Sequence, residues 1–347
     1  MMAPALSIFL LSISLNAAAH AGTELSGPIR DFFANQLDTF ARESPDVRAS
    51  DSECYDVYEH LYDKDTLAIS LFIGVCDNRT NLVLDRPIRQ ALMDHLKKDC
   101  GAYPENYRAC GFKPAVDDSS TLNKTVLFKS RRKKTVALKI FDSSVSEDYA
   151  ACIGTLDDQQ KIKSAWTSRE YLNAMGRDDV VLYIGHSRYG TGPGFCPLPV
   201  FSVIGPATFI RRPLLSQMRD VLKNSSSRPT IMGFFSCQSQ KFYGRFIHSL
   251  SPRSALLVTS EIVTHDQNVS SALGFINSIL GMQCLDDLNK SINLNGRISA
   301  YHLYGFFHSS PHPEYRRYVP ILDVWIAAVF MALLILFASR RFRAAKR

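Results

Sequence analysis

Charge imbalance is what most of this 347-residue chain lacks. The formal net charge is +7, but five of the 40 Lys and Arg residues fall in the last eight positions, "RRFRAAKR" (340–347). Without that tail, 35 cations face 33 Asp and Glu. A body near +2 gives no electrostatic case for a nucleic-acid partner. Repeats and low-complexity segments are absent too, so solenoids and fibrous folds are excluded. No G-x-S-x-G elbow is present: Gly185-His186-Ser187-Arg188 is followed by Tyr189, and the next glycine is Gly190. Ser187 therefore lacks the close turn that a serine nucleophile of that type needs. Pro193 breaks "GTGPGF" (190–195), which excludes a phosphate loop leading straight into a helix and suggests a mobile substrate-side loop instead. His302, His308 and His312 stand among prolines that oppose a helical metal site, so neither metal nor cofactor is expected.

The ends of the chain are apolar. Residues 1–21 hold an apolar core with no charged side chain and finish in Ala19-His20-Ala21, the small-x-small form of a signal-peptidase site. Residues 319–339 carry one acid, Asp323, and are long enough to span a bilayer. The basic tail directly after them places that side in the cytosol and suits anionic lipid head groups. The expectation is a single-pass membrane protein whose body lies outside the cytosol.

Eight cysteines then meet an oxidising compartment, where most should pair. They are Cys54, Cys76, Cys100, Cys110, Cys152, Cys196, Cys237 and Cys284. Cys100 and Cys110 flank the turn-rich "GAYPENYRA" and form a plausible closed loop. The remaining connectivity does not follow from sequence. Asn78, Asn123, Asn224, Asn268 and Asn289 head glycosylation sequons, which matter only in a eukaryotic secretory pathway.

Periodicity predicts an α/β protein with a mostly parallel sheet and helices on both faces. Residues 22–125 read as a small α+β segment holding the strand-like "TLAISLFIGVC" and the helical "RPIRQALMDHLKKDC". Polar, turn-prone "AVDDSSTLNK" (115–124) suggests a boundary. The basic run 131–134 reads as a solvated strand entrance, or else as a processing site. Over 126–300, strands "TVALKIFDSS", "DVVLYIGH", "PTIMGFFSC" and "SALLVTSEIV" alternate with helical segments. Residues 301–318 read as a membrane-proximal linker before the span at 319–339 and the tail at 340–347.

Ligands of open α/β sheets sit at the carboxyl ends of the strands. Two predicted strands end in reactive side chains, His186 and Cys237. Such a pair forms a nucleophile-and-base unit, in which the imidazole takes the thiol proton and the thiolate attacks a carbonyl. A helix following Cys237 would lower the thiol pKa by its dipole. Each residue alone has a bland reading, as a rim histidine and as a buried or disulfide-bonded cysteine.

The pattern "HSRYG" (186–190) after one apolar strand and Ser236-Cys237 after another, 51 residues apart, resembles the caspase-like (clan CD) cysteine peptidases. That group includes caspases, metacaspases, legumain, gingipains and clostripain. The resemblance covers about residues 135–295 and implies a caspase/haemoglobinase-like fold. It implies His186 as general base, Cys237 as nucleophile, and the backbone N–H groups of Gly190 and Cys237 as oxyanion donors. The chain departs from the group in having Ser187 where most relatives have glycine. It also has "FSCQSQ" where caspases carry Q-A-C-x-G.

By the same resemblance the strand after the cysteine lines the substrate pocket. Ser260 and Glu261 are candidates, and Glu261 would favour a basic side chain; Asp178 or Asp179 could serve equally, while Arg188 would favour an acidic one. The expected partner is a polypeptide substrate, with lipid around the span. The alternative is a catalytically silent caspase-like domain serving as an envelope binding or adaptor module.

Overall fold

A computed structural model describes residues 26–44, 55–74, 82–117, 122, 124–131, 134–187, 192–196, 213–225, 229–294 and 296–306. The proposed signal segment, span, tail, Arg188 and Gly190 lie outside these residues. Among the described residues, no helix is long and apolar enough to cross a membrane.

The strands are β1 (Thr66–Ile73), β2 (Lys113–Asp117), β3 (Lys124–Arg131), β4 (Lys134–Asp142), β5 (Val180–Ile184), β6 (Ile231–Phe235), β7 (Ala255–Thr259) and β8 (Tyr301–Tyr304). They form one sheet in the order β2-β3-β4-β1-β5-β6-β7-β8. Strands β4, β1, β5, β6 and β7 run parallel, while β2 and β3 at one edge and β8 at the other are antiparallel to their neighbours. Strands β5, β6 and β7 are buried at every position. Helices cover both faces, which is why these strands read as unbroken apolar runs rather than alternating ones.

Helices α1 (Ser26–Glu43), α2 (Tyr55–Tyr62), α3 (Asp85–Lys97), α8 (His265–Gly281) and α9 (Leu285–Ile292) cover one face, packed on Leu182, Ile184, Phe235 and Leu257. Helices α5 (Asp157–Met175), α6 (Pro213–Asn224) and α7 (Arg245–Leu250) cover the other, over Val181, Tyr183, Met232, Phe234 and Val258. The short α4 (Tyr149–Ile153) lies beside α5. α1 had no clear sequence signal; it packs through Phe33, Leu37 and Phe40, buried at helical spacing.

Two boundaries differ from the sequence reading. β1 lies between β4 and β5, so the residues on either side of 115–124 share one sheet, and within that stretch residues 115–117 belong to β2 and Lys124 opens β3. The region expected as a linker from 301 begins instead with β8, because Tyr301 and Leu303 are buried while His302 and Tyr304 are half-exposed, the alternation of an edge strand. The Cys100–Cys110 disulfide closes as expected. Cys284 is disulfide-bonded as well, to a partner outside the described residues, and Cys152 and Cys237 are free thiols.

Candidate functional site

The site forms where β5 and β6 end side by side. The ladder between them runs from Val180↔Ile231 to Ile184↔Phe235 and is extended by Gly185, whose N–H donates to the Phe235 carbonyl at 3.2 Å. Gly185 has φ +154°, and a Cβ there would meet the Tyr183 hydroxyl at 2.5 Å, so only glycine fits. The Tyr183 hydroxyl donates to the His186 carbonyl at 3.0 Å and accepts from the Gly194 N–H at 2.8 Å. This ties the end of β5 to the following loop.

Ser187 fastens the two strand ends. Its hydroxyl donates to the Cys237 carbonyl at 2.5 Å, and its own carbonyl accepts from the Tyr243 hydroxyl at 2.8 Å. With 4% of its surface exposed, Ser187 is a clasp and not a nucleophile.

His186 and Cys237 turn to the same side of the sheet, toward the segment leading into α8. The His186 ring meets the His265 ring edge to face, 5.2 Å between centroids. The Cys237 thiol lies 3.5 Å from the Val263 carbonyl and packs half-buried on the core under α8. Gln267 accepts the Thr264 N–H at 3.0 Å and so fixes the start of that helix.

After Cys237 the backbone turns sharply. Gln238 is left-handed, with φ +52°, a conformation that costs a non-glycine residue about 1–2 kcal/mol. Strain of this kind persists where the surroundings enforce it, often at functional sites. Here the Gln238 N–H donates to the Glu261 carbonyl at 2.8 Å, and the Ser239 N–H and hydroxyl are locked to Thr259 and Phe234. The chain then makes a wide π-type turn, Gln240–Gly244, before the six-residue α7. The helix expected over "KFYGRFIHSL" (241–250) is thus a wide turn followed by a short helix, which weakens the dipole argument made for Cys237.

Ser260 and Glu261 follow β7, beside β6, and arrive at the same edge. The Ser260 hydroxyl lies 2.9 Å from His302 Nε2, and Glu261 is exposed. Burial pulls the His302 pKa down against the opposing charge of Glu261. His302 belongs to this rim, a placement invisible while 301–318 is read as a linker. Ile262, 78% exposed, stands on the same lip.

Asp179 lies elsewhere. It precedes β5 at the amino edge of the sheet, where it pairs with Lys64 and accepts the Ala68 N–H at 2.9 Å. Asp178 is there too, bonded to Lys139 and Ser70. Burial alone would raise the Asp178 pKa, but these bonds outweigh it and hold the carboxyl below its ordinary value. Neither acid reaches the end of the strand that presents His186.

The described part of the loop expected to be mobile is docked: Phe195 is buried against Phe72, Tyr171 and Tyr183. Among the described residues, no group of three or more His, Cys, Asp or Glu is placed to hold a metal ion. The sequon at Asn268 is buried in α8, with its side chain accepting from the Tyr301 hydroxyl at 2.8 Å, so the folded chain presents no acceptor there. Comparison with known proteins matches this chain to no family model and to no curated protein.

Proposed function

We propose that the chain is a caspase-like cysteine endopeptidase, anchored by one membrane span with its body outside the cytosol. The observation that supports it best is the Ser187–Cys237 clasp, which fastens two neighbouring parallel strand ends so that His186 and Cys237 face the same Val263–His265 segment. A free thiol at Cys237, in a chain with disulfides elsewhere, supports it as well.

His186 takes the Cys237 proton, and the thiolate attacks the scissile carbonyl carbon. The Cys237 N–H, with Gly190 by resemblance, faces the oxyanion that forms. The leaving amine departs with the proton returned by His186, and water activated by the same ring releases the acyl group. Glu261, exposed beside the Gln238 turn, gives the pocket a carboxylate suited to a basic residue before the scissile bond.

A second reading is favoured by one observation. The Cys237 thiol points to the Val263 carbonyl and packs on apolar side chains, the surroundings of a structural cysteine. In that reading the domain is catalytically silent and binds partners in the envelope. Turnover of fluorogenic peptides with Lys or Arg before the cleaved bond separates the two. The peptidase reading expects activity that falls by about 10²-fold or more in both Cys237→Ala and His186→Ala. Activity unchanged in Cys237→Ala, or absent from the wild-type chain, favours the silent domain.

A further inference from the structure

The carboxyl edge of the sheet holds a second polar centre, at the ends of β4 and β1. Asp142 is the last residue of β4, and its Oδ1 receives Lys163 Nζ of α5 at 2.5 Å. Asp85, in the first turn of α3, accepts the Ser143 N–H at 2.8 Å with Oδ2. The Ser143 hydroxyl lies 3.0 Å from that same oxygen and 3.1 Å from the Ile73 carbonyl that ends β1. Gln160 of α5 closes the turn by donating to the Ser143 carbonyl at 2.8 Å and accepting the Val145 N–H at 3.0 Å. Asp85, Asp142, Ser143, Ser144 and Lys163 are all 0% exposed.

Three atoms in this sealed centre have no hydrogen-bond partner: Asp85 Oδ1, Asp142 Oδ2 and the Ser144 hydroxyl. Two buried carboxyls share one buried lysine. With both acids ionised, one negative charge is left without a counter-charge in a site that excludes water, which is costly. Neither nearby arginine bonds a carboxyl of the pair, Arg86 being held by the Val145 carbonyl and Arg89 by Thr125, and the cation that acts on Asp85 is Lys163. Cys152 and Asp148 of the α4 side could add only further negative charge.

We propose that Asp85 and Asp142 form a binding site for one proton, carried on Asp85, that cancels the unpaired charge between the first turn of α3 and the end of β4 and so acts as a latch on that junction. The titration agrees in direction: burial first, and the Asp142 charge second, push the Asp85 carboxyl up to about 6, against the pull of Ser143 and Lys163. The site therefore fills in mildly acidic medium and empties at neutral pH. A carboxyl whose folded pKa is raised contributes stability that is complete below the unfolded value and is lost as pH rises through the folded one. The latch is tightest in acid. It sits at the ends of β4 and β1, the latter the neighbour of β5, which presents His186, yet it does not depend on any catalytic role for that residue.

The pH profile of the wild-type chain alone does not isolate the latch, because His95 acts in the same window with opposite sign. Burial lowers the His95 pKa to about 4, so its contribution is lost as pH falls. The informative quantity is the difference in Tm between Asp85→Asn and wild type from pH 4 to pH 8. Asn mimics the protonated acid, so the variant is expected to gain on wild type as pH rises. A flat difference, or one that falls with pH as a charged Asp85–Lys163 pair would give, overturns the proposal. Infrared titration of the wild-type chain needs no variant: a buried protonated carboxyl should be present at pH 5 and vanish by pH 8. Its absence at pH 5 likewise overturns the proposal.

Discussion

Ser187 shows how a residue beside a reactive histidine can serve the site without doing its chemistry. The hydroxyl that a hydrolase reading would activate is donated to the Cys237 carbonyl, one strand away. Ser187→Ala should cost about 1 kcal/mol of stability, the usual worth of one internal hydrogen bond. If His186 and Cys237 work as a pair, the variant also frees one strand end relative to the other. In that case kcat should fall on the order of tenfold or more with KM little changed, because misplacement of reacting groups acts on the chemical step. Steady-state kinetics beside a urea melt separates the two effects; a stability loss with unaltered kcat would make the clasp purely structural. The sequence excluded Ser187 as nucleophile through its missing glycine, but nothing in it pointed to the clasp. That bond needs the register of β5 against β6, a property of the fold rather than of the neighbouring residues.

At the scale of elements, strands were the most legible part of the chain. The runs predicted around β1, β4, β5, β6 and β7 all form strands, because residues buried on both faces leave long apolar, β-branched stretches. Elements with weak local signals were missed. β8 has four residues, and its alternation was hidden by a histidine-and-proline-rich stretch that follows. α1 depends on α3 and α8 to cover its apolar stripe. Consequently the placement of His302 beside Ser260 was not legible, because it depends on β8 pairing with β7. The Cys100–Cys110 loop was read correctly from its turn residues, and it anchors the segment after α3 where Lys129 caps the Cys110 carbonyl. Replacing both cysteines by serine should lower stability by about 2–3 kcal/mol, the loop-entropy effect for a ring of this size. A guanidinium melt that shows no loss would mean that packing alone holds the loop.

For the whole molecule, the sheet topology and the proposed site meet at one edge, as ligand sites of parallel sheets do. The polar clusters at the opposite edge, around Asp178 and Asp179, are ion pairs that close the amino ends of the strands. The proposed topology has its own test: in sealed inverted membrane vesicles the body should resist added protease and only the basic tail should be clipped, whereas digestion of the body would reverse the orientation. Whether His186 and Cys237 act as one unit is read from the rate of Cys237 alkylation in the native chain. With iodoacetamide at pH 6.5, followed by peptide mass mapping, Cys237 should react well ahead of the buried thiol of Cys152. His186→Ala should slow Cys237 by about tenfold or more while leaving Cys152 unchanged, because the thiolate is the nucleophile and the imidazole promotes it. Equal Cys237 rates in the two chains, in folded protein, would mean that the ring and the thiol do not work together.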